Sequence, residues 1–372
     1  MTALRGDLLG VQHGGPDGGP DIAWDFSSNA NAVSLPTDLM ARLLDADRRH
    51  YPDPYYAALR TVLAQAHGIH MDRVLPTAGS SEGIRRLTLS LLGKGLHQVW
   101  VPVPGYGDYR AAAQALGVDV CSFDPWSRPS AWCDLDVQAV GQPGPILLWL
   151  CDPCNPTGRS LDASFWQGLR AWMRRHPNVI VALDRAYEPL RLRGHSALPP
   201  DLADVCWQFH SPNKALGLTG VRAGWVQAPL HDPLGLVSAL WRLAPSWVMS
   251  AEGVHLLKQW YTPEVQDWLV TSHQTLAFWM LRLEVELAQR GWSNQPSFTS
   301  FFVSQAPTAW APHLPAITTH LRTQGLKWRD AGSLGLPGAV RLRAHEPAAQ
   351  QALLASLDAW CASQPFLLRS VA

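Results

Sequence analysis

Charged residues are scarce in this sequence. Asp, Glu, Lys and Arg together make up 16% of the 372 residues, and 30 basic side chains balance 30 acidic ones. A chain with zero formal net charge has no long-range field to attract nucleic acid or an anionic membrane. The composition therefore predicts a small-molecule partner, and neither nucleic acid nor membrane is expected as one.

Long apolar runs are also lacking. No uninterrupted run reaches the roughly 18 residues that a membrane-spanning helix requires. The first ten residues lack the long apolar core of a signal peptide. These two absences predict a cytoplasmic protein.

Cysteine is rare for a chain of this size, which argues against a disulfide framework and favours reduced thiols. Cys151 and Cys154 form a C-x-x-C, a motif that can have a redox function or bind zinc. A second ligand pair at zinc spacing is missing, however, and Asp152 and Pro153 interrupt the motif, so we expect no metal. The cysteines are Cys121, Cys133, Cys151, Cys154, Cys206 and Cys361.

Apolar residues, by contrast, make up 47% of the chain, enough for two cores, and length favours one large domain plus a smaller one. The 30 prolines and 29 glycines are spread along the chain, as expected for many short turns. We predict an arm over residues 1–35 that packs on the small domain, a large domain over 36–235, and a helical connection with the small domain over 236–372.

Apolar runs alternate with segments of helical period between about residues 55 and 230, which predicts a mostly parallel sheet with helices on both faces. The candidate strands are Gln98–Pro102, Ile146–Cys151, Val179–Leu183, Val205–Phe209 and Val221–Val226. The candidate helices are Ala57–His67, Ser81–Leu92, Tyr109–Leu116 and Ala163–Arg175.

Beyond Pro229 the pattern changes to long helices followed by short strands, which is typical of a smaller α+β domain. The predicted helices there are Leu234–Arg242, Ala251–Arg290 and Pro347–Ser363, and the predicted strands are Phe301–Val303, Leu326–Arg329 and Val340–Arg343. The chain is thus predicted to be an α/β protein with two domains.

Chemically versatile side chains follow the predicted strands, where ligands bind in such sheets. Gly79 and Ser80 precede a helix whose free N–H groups would favour a phosphate, although an ordinary helix start has the same appearance. Asp184 ends an apolar strand, where a carboxylate is costly without a cation. The sequence therefore predicts an anion site and a cation site at one edge of the sheet.

Lys214 lies in the loop Ser211-Pro-Asn-Lys-Ala-Leu-Gly-Leu-Thr-Gly-Val-Arg-Ala-Gly. Ser211 and Arg222 are placed to hold a dianionic phosphate, and the glycines allow close backbone packing. The alternative is an exposed lysine in a glycine-rich turn. The other motifs must decide between the two interpretations.

In chain order, the phosphate turn, Pro104-Gly-Tyr-Gly-Asp-Tyr, Asn155-Pro-Thr-Gly, Asp184-Arg-Ala-Tyr and the Lys214 loop resemble class I/II aminotransferases of the fold-type I pyridoxal-phosphate superfamily. The likeness covers nearly the whole chain. It is greatest to the histidinol-phosphate aminotransferase branch, which also contains the threonine-phosphate decarboxylases of cobalamin synthesis.

The resemblance implies pyridoxal 5′-phosphate as cofactor and assigns a role to each motif. Lys214 would bond to its aldehyde and act as general base, Asp184 would pair with its ring nitrogen, and Tyr106 would stack on its ring. The phenolate contacts would be Asn155 and Tyr187, and the phosphate contacts would be Gly79, Ser80, Ser211 and Arg222.

Two further roles follow from the same resemblance. Tyr51 matches a tyrosine that reaches the phosphate in the neighbouring subunit, which implies a homodimer with shared active sites. Arg341 matches the arginine that binds the substrate α-carboxylate, although Arg343 returns to the same face of the predicted strand.

The amino-terminal region bears on the choice of reaction. His13-Gly14-Gly15 and Asn31 resemble the opening of threonine-phosphate decarboxylases, where the corresponding residues line the substrate pocket. The alternative is an exposed histidine in a Gly-Pro arm. The chain departs from the family pattern at Ala32, Cys154, Arg185 and Asn213, where the family usually has Pro, Asn, Glu and Ser or Thr.

We therefore expect a pyridoxal-phosphate-dependent aminotransferase that acts on a small phosphorylated amino substrate and a 2-oxo acid. The alternative reaction is decarboxylation of threonine phosphate. A cofactor-binding regulator without turnover would have lost Lys214, Asp184 or Arg341, and all three are present. An interaction module would rest only on the 18 tryptophans, which core packing explains better.

Overall fold

The computed structural model describes residues 11–127, 135 and 144–364. Its strands are β1 Trp24–Asp25, β2 Val74–Thr77, β3 Gln98–Pro102, β4 Asp119–Phe123, β5 Ile146–Cys151, β6 Val179–Asp184, β7 Trp207–His210, β8 Gly224–Gln227, β9 Ser293–Asn294, β10 Phe301–Gln305, β11 Leu326–Lys327, β12 Arg329–Asp330 and β13 Ala339–Arg343.

The helices in the same ranges are α1 Thr37–Leu44, α2 Ala57–His67, α3 Ser80–Leu92, α4 Gly107–Gln114, α5 Ala163–Arg175, α6 Pro200–Ala203, α7 Leu236–Leu243, α8 Ala251–Gln259, α9 Pro263–Gln289, α10 Leu314–Thr323 and α11 Pro347–Ala362. None of these helices has both the length and the apolar character needed to cross a membrane.

Seven strands form the central sheet in the order β2-β8-β7-β6-β5-β3-β4, and β8 alone runs antiparallel to its neighbours. Alternate side chains of β5 enter two different cores. Leu147 and Trp149 pack with α3 and α4, whereas Leu148 and Leu150 pack with α5. Helices therefore cover both faces, as the sequence predicted.

A second, antiparallel sheet has the order β12-β13-β10-β9, and α10 and α11 pack against each other beside it. The described part of the amino-terminal arm joins this region, because β1 pairs in parallel with β11. Asp17 of the arm also forms ion pairs with Arg322 and Lys327 at 3.2 and 2.8 Å. The domain boundaries at 35 and 235 stay a prediction, and residues 1–10, Cys133 and residues 365–372 lie outside the described residues.

Two predicted elements are wrong because the structure divides each of them in two. The stretch predicted as one helix from Ala251 to Arg290 is two helices, because Pro263 cannot donate the backbone hydrogen bond that would continue α8 and instead begins α9. The predicted strand Leu326–Arg329 splits into β11 and β12, which pair with different strands on either side of the buried Trp328.

Candidate active site

Asp184 is the last residue of β6 and is buried among the central strands. One carboxylate oxygen accepts a hydrogen bond from the hydroxyl of Tyr109 at 2.8 Å, and the other accepts one from the backbone N–H of Ala186 at 2.9 Å. Burial raises the pKa of Asp184, while the positive charge of Lys214 opposes that rise. Among the described residues Asp184 forms no ion pair. Its carboxylate is therefore available to stabilise a cation that binds at this strand end.

Lys214 faces the same cavity from the loop that follows β7. Burial lowers the pKa of its amine, and Asp184 opposes that shift. The amine lies 5.5 Å from the centre of the Tyr187 ring. A lysine with a lowered pKa has a larger neutral fraction, and the neutral amine is the form that can act as nucleophile or base.

We name the space around Lys214 the inner cavity. Its volume is about 130 Å³, and it is lined by Ser80, Ser81, Tyr106, Asn155, Asp184, Ala186, Tyr187, Asn213, Lys214, Thr219 and Arg222. The carboxyl ends of β2, β3, β5, β6 and β7 lead into this lining. The structure thus brings together residues that are separated by up to 142 positions in the chain, from Ser80 to Arg222.

The amide of Asn155 is oriented by Arg341. Its oxygen accepts a hydrogen bond from the Arg341 guanidinium at 2.5 Å, which leaves the NH₂ group of the same amide as the donor toward the inner cavity. Tyr187 lines the cavity beside it, and burial raises the pKa of its hydroxyl, which therefore stays protonated and can donate as well. Both side chains can donate to an oxyanion in the cavity.

Gly79, Ser80 and Arg222, three of the four residues from which the sequence predicts a phosphate site, meet at the start of α3, and Ser211 lies in the loop that carries Arg222. Gly79 has φ +91°, and a Cβ there would lie 2.6 Å from the guanidinium of Arg222. The Ser80 hydroxyl is buried and has no hydrogen-bond partner among the described residues. A phosphate at this helix start would satisfy that hydroxyl and meet Arg222 together with free backbone N–H groups.

Asn213 braces the loop that carries these groups. It accepts a hydrogen bond from the Ser211 hydroxyl at 3.1 Å and donates to the carbonyl of Val221 at 3.0 Å. Asn213, which departs from the family pattern, therefore still supports the loop through these two hydrogen bonds.

Tyr106 precedes α4 and lines the inner cavity opposite Lys214's loop. Its hydroxyl donates to Asp108 at 2.8 Å and lies 3.1 Å from the hydroxyl of Ser81. Its ring meets Tyr109 edge to face. These contacts fix the plane of the ring at the cavity wall.

A second, outer cavity of about 280 Å³ adjoins the first and shares Tyr106, Asn155, Tyr187, Lys214 and Thr219 with it. The other lining residues come from the arm and the small sheet, and are Gln12, His13, Gly14, Gly15, Pro16, Asp25, Ser28, Asn29, Ala30, Arg329, Leu334 and Arg341. The outer cavity therefore lies between the two predicted domains and the arm.

Two arginines reach the outer cavity from adjacent strands. Arg341 of β13 and Arg329 of β12 are paired across the antiparallel ladder, so their side chains share one face of the small sheet. Arg341 donates to Asn155 and to the carbonyl of Ser27, and burial lowers its pKa to about 10. Its Nε has no partner among the described residues.

Arg329 donates to Gln12, to Ser333 and to the carbonyl of Asp330. Within the described ranges, neither Arg329 nor Arg341 forms an ion pair with a carboxylate. Arg343, the alternative to Arg341, donates instead to the carbonyl of Ala30 and does not line the cavity.

The His13-Gly14-Gly15 turn forms part of the outer cavity wall. Gly15 donates its N–H to the Ser27 hydroxyl at 2.8 Å, and Lys327 donates to the Gly15 carbonyl. A Cβ on Gly14 would lie 2.1 Å from the Ser27 carbonyl oxygen, so this turn requires glycine. His13 lies beside Tyr106, with 6.1 Å between ring centres.

The structure places Asn31 behind the Lys214 loop and not in either cavity. Its amide donates to the carbonyl of Ala215 at 3.0 Å and to the hydroxyl of Ser272 at 2.9 Å. Asn29 occupies the cavity wall instead, with its amide nitrogen 3.5 Å from the oxygen of Asn155.

Tyr51 is 75% exposed, stacks on Trp247 with 4.1 Å between ring centres, and lines neither cavity of its own chain. Arg185, the cation beside Asp184, points away from the inner cavity and donates to Gln208 at 3.0 Å. Cys154 is buried, and burial raises the pKa of its thiol to about 11. Ala32 packs partly buried against the main core.

Residues that line or brace the cavities but were not singled out from the sequence are Asn29, Ser81, Asp108, Tyr109, Thr219 and Arg329. Most of them lie inside or next to the motifs already noted, such as Asp108 and Tyr109 after Tyr106. Their closeness to these motifs could have indicated that they lie near the site. Their roles depend on contacts that the sequence does not show.

Comparison with known proteins identifies the family. The model of the aminotransferase class I and II family matches residues 22–357. The chain belongs to the aminotransferase class I and II family. It is therefore a pyridoxal-phosphate-dependent enzyme of the transaminase family, which confirms the predicted family, enzyme class and cofactor.

Relatives and solved structures agree with this assignment. The chain is 30% identical to histidinol-phosphate aminotransferase 2 of Caulobacter vibrioides over 84% of this chain and 79% of that one. A histidinol-phosphate aminotransferase of Sinorhizobium meliloti in complex with pyridoxal-5′-phosphate has a TM-score of 0.77 at 21% identity, covering 94% and 92% of the two chains. An L-threonine-O-3-phosphate decarboxylase of Porphyromonas gingivalis has a TM-score of 0.68 at 20% identity, covering 91% and 99%.

The two structural likenesses establish the predicted fold, fold type I, and a small-molecule amino substrate follows from the family. The inner cavity fits the family's cofactor on its own geometry. It offers a buried carboxylate for a ring nitrogen, amide and phenol donors for an oxyanion, an amine for an aldehyde, and an orphaned serine hydroxyl in a glycine cradle for a phosphate.

Proposed function

We propose that this enzyme transfers the amino group between a small, phosphorylated amino substrate and a 2-oxo acid. The observation that carries the proposal is the pair of buried arginines, Arg329 and Arg341, in one cavity with the amine of Lys214. Buried guanidinium groups without a carboxylate partner favour a ligand that brings its own negative charges. Two such groups suit substrates with two anionic ends, such as threonine phosphate or 2-oxoglutarate, whereas histidinol phosphate, which has no carboxylate, would engage them through its phosphate alone.

Arg341 is proposed to bind the α-carboxylate. Its contacts with Asn155 and the Ser27 carbonyl hold the guanidinium in place, and its unpartnered Nε offers a further donor. A guanidinium matches a carboxylate with two parallel hydrogen bonds. A substrate held in this way would present its amino group toward Lys214.

Pyridoxal phosphate, when bound, supplies a ring that withdraws electrons from the substrate's α carbon. Asp184 is proposed to keep a proton on the ring nitrogen, and Tyr106 to stack on the ring. Asn155 and Tyr187 would donate to the phenolate oxygen. Lys214 would take the proton from the α carbon and return it at the acceptor carbon.

The phosphate of the cofactor is proposed to lie in the cup formed by Gly79, Ser80, Ser211 and Arg222. The phosphate of the substrate would lie at the opposite end of the site, among Arg329, His13 and the backbone N–H of Gly14. Asn31 would support the Lys214 loop, through its bond to the Ala215 carbonyl, and not contact substrate.

Decarboxylation of threonine phosphate is the second candidate, and the position of the His13-Gly14-Gly15 turn favours it. The turn forms the wall of the outer cavity, where a phosphorylated substrate would end. The reaction would depend on whether the carboxylate or the α-hydrogen stands perpendicular to the cofactor ring.

The enzyme is further proposed to act as a cytoplasmic homodimer in which Tyr51 of each subunit contributes to the partner's phosphate cup. An aromatic side chain that is 75% exposed, beside the exposed Tyr55, is unusual unless it meets another protein surface. The arm over 1–35, the large domain over 36–235 and the remainder over 236–372 are the units we propose for this subunit.

Turnover assays test the proposed function. The purified enzyme, supplied with pyridoxal phosphate, is given either histidinol phosphate with 2-oxoglutarate or threonine phosphate alone. Formation of glutamate that requires the phosphorylated amine supports the aminotransferase. Release of carbon dioxide from threonine phosphate without a 2-oxo acid establishes the second candidate instead.

Lys214→Ala should abolish either reaction together with the visible absorption band of the bound cofactor, whereas Lys258→Ala, at an exposed position of α8, serves as the control. An enzyme that turns over unphosphorylated amino acids as readily as phosphorylated ones would refute the proposed substrate class.

A further inference from the structure

Asp108 is buried, and its three polar neighbours are side chains that line the cavities. One oxygen accepts hydrogen bonds from Ser81 at 2.5 Å and from Tyr106 at 2.8 Å. The other oxygen lies 3.5 Å from Nε2 of His13. The carboxylate therefore contacts the cofactor side of the site through one oxygen and the substrate side through the other.

His13 is the more exposed partner in this arrangement. Its side chain is 47% exposed, whereas that of Asp108 is only 6% exposed. Its ring lies beside that of Tyr106, and it lines the outer cavity. An imidazole on a surface arm loses side-chain freedom when it is held at one place, so a fixed acceptor is needed to keep it there.

We propose that Asp108 is a positioning residue, which holds His13 of the arm over the substrate end of the site so that the imidazole can donate to the substrate's phosphate. The inference rests on the proposed phosphorylated substrate. Asp108 itself touches neither cofactor nor substrate in this arrangement. It acts through His13: its oxygen, 3.5 Å from Nε2, would accept that ring N–H when the two groups close to hydrogen-bond distance, which would leave the other ring nitrogen for the substrate's phosphate.

The charges around the pair are consistent with this role. The basic side chains that line the outer cavity beside His13 are Lys214, Arg329 and Arg341, and the acidic side chain in the same lining is Asp25. Asp25 accepts hydrogen bonds from the Ser27 and Ser28 hydroxyls and is thus engaged within its own turn. Among the described lining residues and their direct partners, Asp108 is the carboxylate within ion-pair distance of His13.

Asp108 also lies in the first turn of α4, where a carboxylate stabilises a helix through the macrodipole. That role would affect the stability of α4 but would not distinguish a phosphorylated substrate from an unphosphorylated one. Selectivity for the phosphate therefore separates the positioning role from a purely structural one.

Asp108→Asn tests the proposal because the amide keeps an oxygen for Ser81 and Tyr106 but turns its NH₂ group toward His13. We expect KM for the phosphorylated substrate to rise about fivefold, while KM, or Ki where there is no turnover, for the unphosphorylated amine stays the same. The substrate pair is threonine phosphate with threonine, or histidinol phosphate with histidinol, whichever the unaltered enzyme uses. The dissociation constant for pyridoxal phosphate should change less than twofold.

His13→Gln and the double variant His13→Gln/Asp108→Asn complete a double-mutant cycle. His13→Gln alone should raise the same KM ratio, and adding Asp108→Asn to it should produce no further change, since both act through one contact. His13→Gln alters an exposed arm residue, so it remains a test if Asp108→Asn does not fold. An Asp108→Asn effect that persists in the His13→Gln background overturns the proposal, as does loss of cofactor binding in Asp108→Asn.

Asp17→Asn is the matched control, because it also removes a carboxylate that binds the arm, through Arg322 and Lys327, and Asp17 lines neither cavity. It should leave the KM ratio within twofold. An equal effect of Asp17→Asn would show that arm order in general, and not the Asp108 contact, sets the ratio. A lack of phosphate preference in the unaltered enzyme refutes the proposed function before any variant is measured, so the two failures are distinguishable.

Discussion

Tyr109 favours the ionised form of Asp184. Its hydroxyl donates to the carboxylate at 2.8 Å, and its ring stacks on Trp149 at 4.7 Å. A hydrogen bond donated to the ionised carboxylate opposes the rise in pKa that burial causes. Tyr109→Phe keeps the stacked ring and removes the donor.

We predict that Tyr109→Phe weakens pyridoxal phosphate binding about tenfold, since a hydrogen bond to a charged group contributes roughly 1.5–3 kcal/mol. Equilibrium dialysis measures the dissociation constant. The loss should grow as the pH is lowered, because Asp184 then protonates at a higher pH than in the unaltered protein.

Tyr261→Phe is the control for this measurement. It removes a phenol that contacts His67 at 2.8 Å, away from the inner cavity. Equal dissociation constants for the unaltered protein and Tyr109→Phe across the pH range would contradict the role given to Tyr109.

His67 makes the free energy of unfolding depend on pH. Burial lowers its pKa from 6.5 to about 4, and the charge of Arg185 adds to the shift. The unfolded chain therefore binds a proton at pH values where the folded protein does not. The stability that depends on neutral His67 is present above about pH 6.5 and is lost as the pH falls toward 4.

We predict that His67→Gln reduces the loss of unfolding free energy between pH 7 and pH 5 by about 2 kcal/mol. Urea denaturation at the two pH values measures it. His231→Gln, at an exposed position, controls for the loss of one histidine. A loss in His67→Gln as large as in the unaltered protein would show that other groups cause it.

Asn29 and Asn31 show what could not be predicted at this scale. They are two positions apart in an irregular segment, so the sequence identified an asparagine in the arm but not the one that faces the cavity. The positions of Lys214, Asp184 and Asn155, in contrast, were predictable because Asp184 ends a parallel strand and the other two follow one, and such positions meet at one edge of the sheet.

The amino-terminal end of α3 is the element on which the proposed phosphate cup depends. Gly79 has φ +91°, a conformation that L residues with a side chain rarely adopt, and it lies under Arg222. Gly79→Ala would add strain of roughly 1–2 kcal/mol and displace the guanidinium.

We predict that Gly79→Ala lowers the affinity for pyridoxal phosphate about tenfold and leaves that for pyridoxal, which lacks the phosphate, unchanged, because one charge-assisted contact is lost. Gly68→Ala is the matched control, since Gly68 has φ +63° but open space around its Cβ position. It should lower the melting temperature without changing the affinity ratio. Parallel losses for pyridoxal and its phosphate in Gly79→Ala would mean that the strain, and not the cup, is responsible.

Elements were predictable where periodicity alone fixes them. The extents of β3, β5, α2 and α5 match the prediction because apolar runs and helical stripes coincide with their ends. β2 was not predicted because Pro76 interrupts its apolar run. β4 was not predicted because Phe123 is its one buried residue, so its sequence lacks the apolar pattern of a buried strand. The split of Leu326–Arg329 depends on distant partners, which local sequence does not contain.

At the scale of the whole molecule, one subunit leaves aromatic groups uncovered that a second copy would cover. Tyr51 and Tyr55 are 75% and 72% exposed, and Trp247, on which Tyr51 stacks, is 41% exposed. The phosphate cup of one chain, as described, lacks Tyr51. In a dimer with shared sites each cup would therefore be completed by the partner subunit.

Complementation between two inactive subunits tests this arrangement. We predict that Tyr51→Ala and Lys214→Ala homodimers each have little activity, whereas a heterodimer of the two, co-expressed with different affinity tags and purified on both, has about half the activity of the unaltered dimer. Shared sites place both lesions in one active site and leave the other intact. If each chain formed its site alone, every site in the heterodimer would carry one lesion, and its activity would not exceed the mean of the two homodimers.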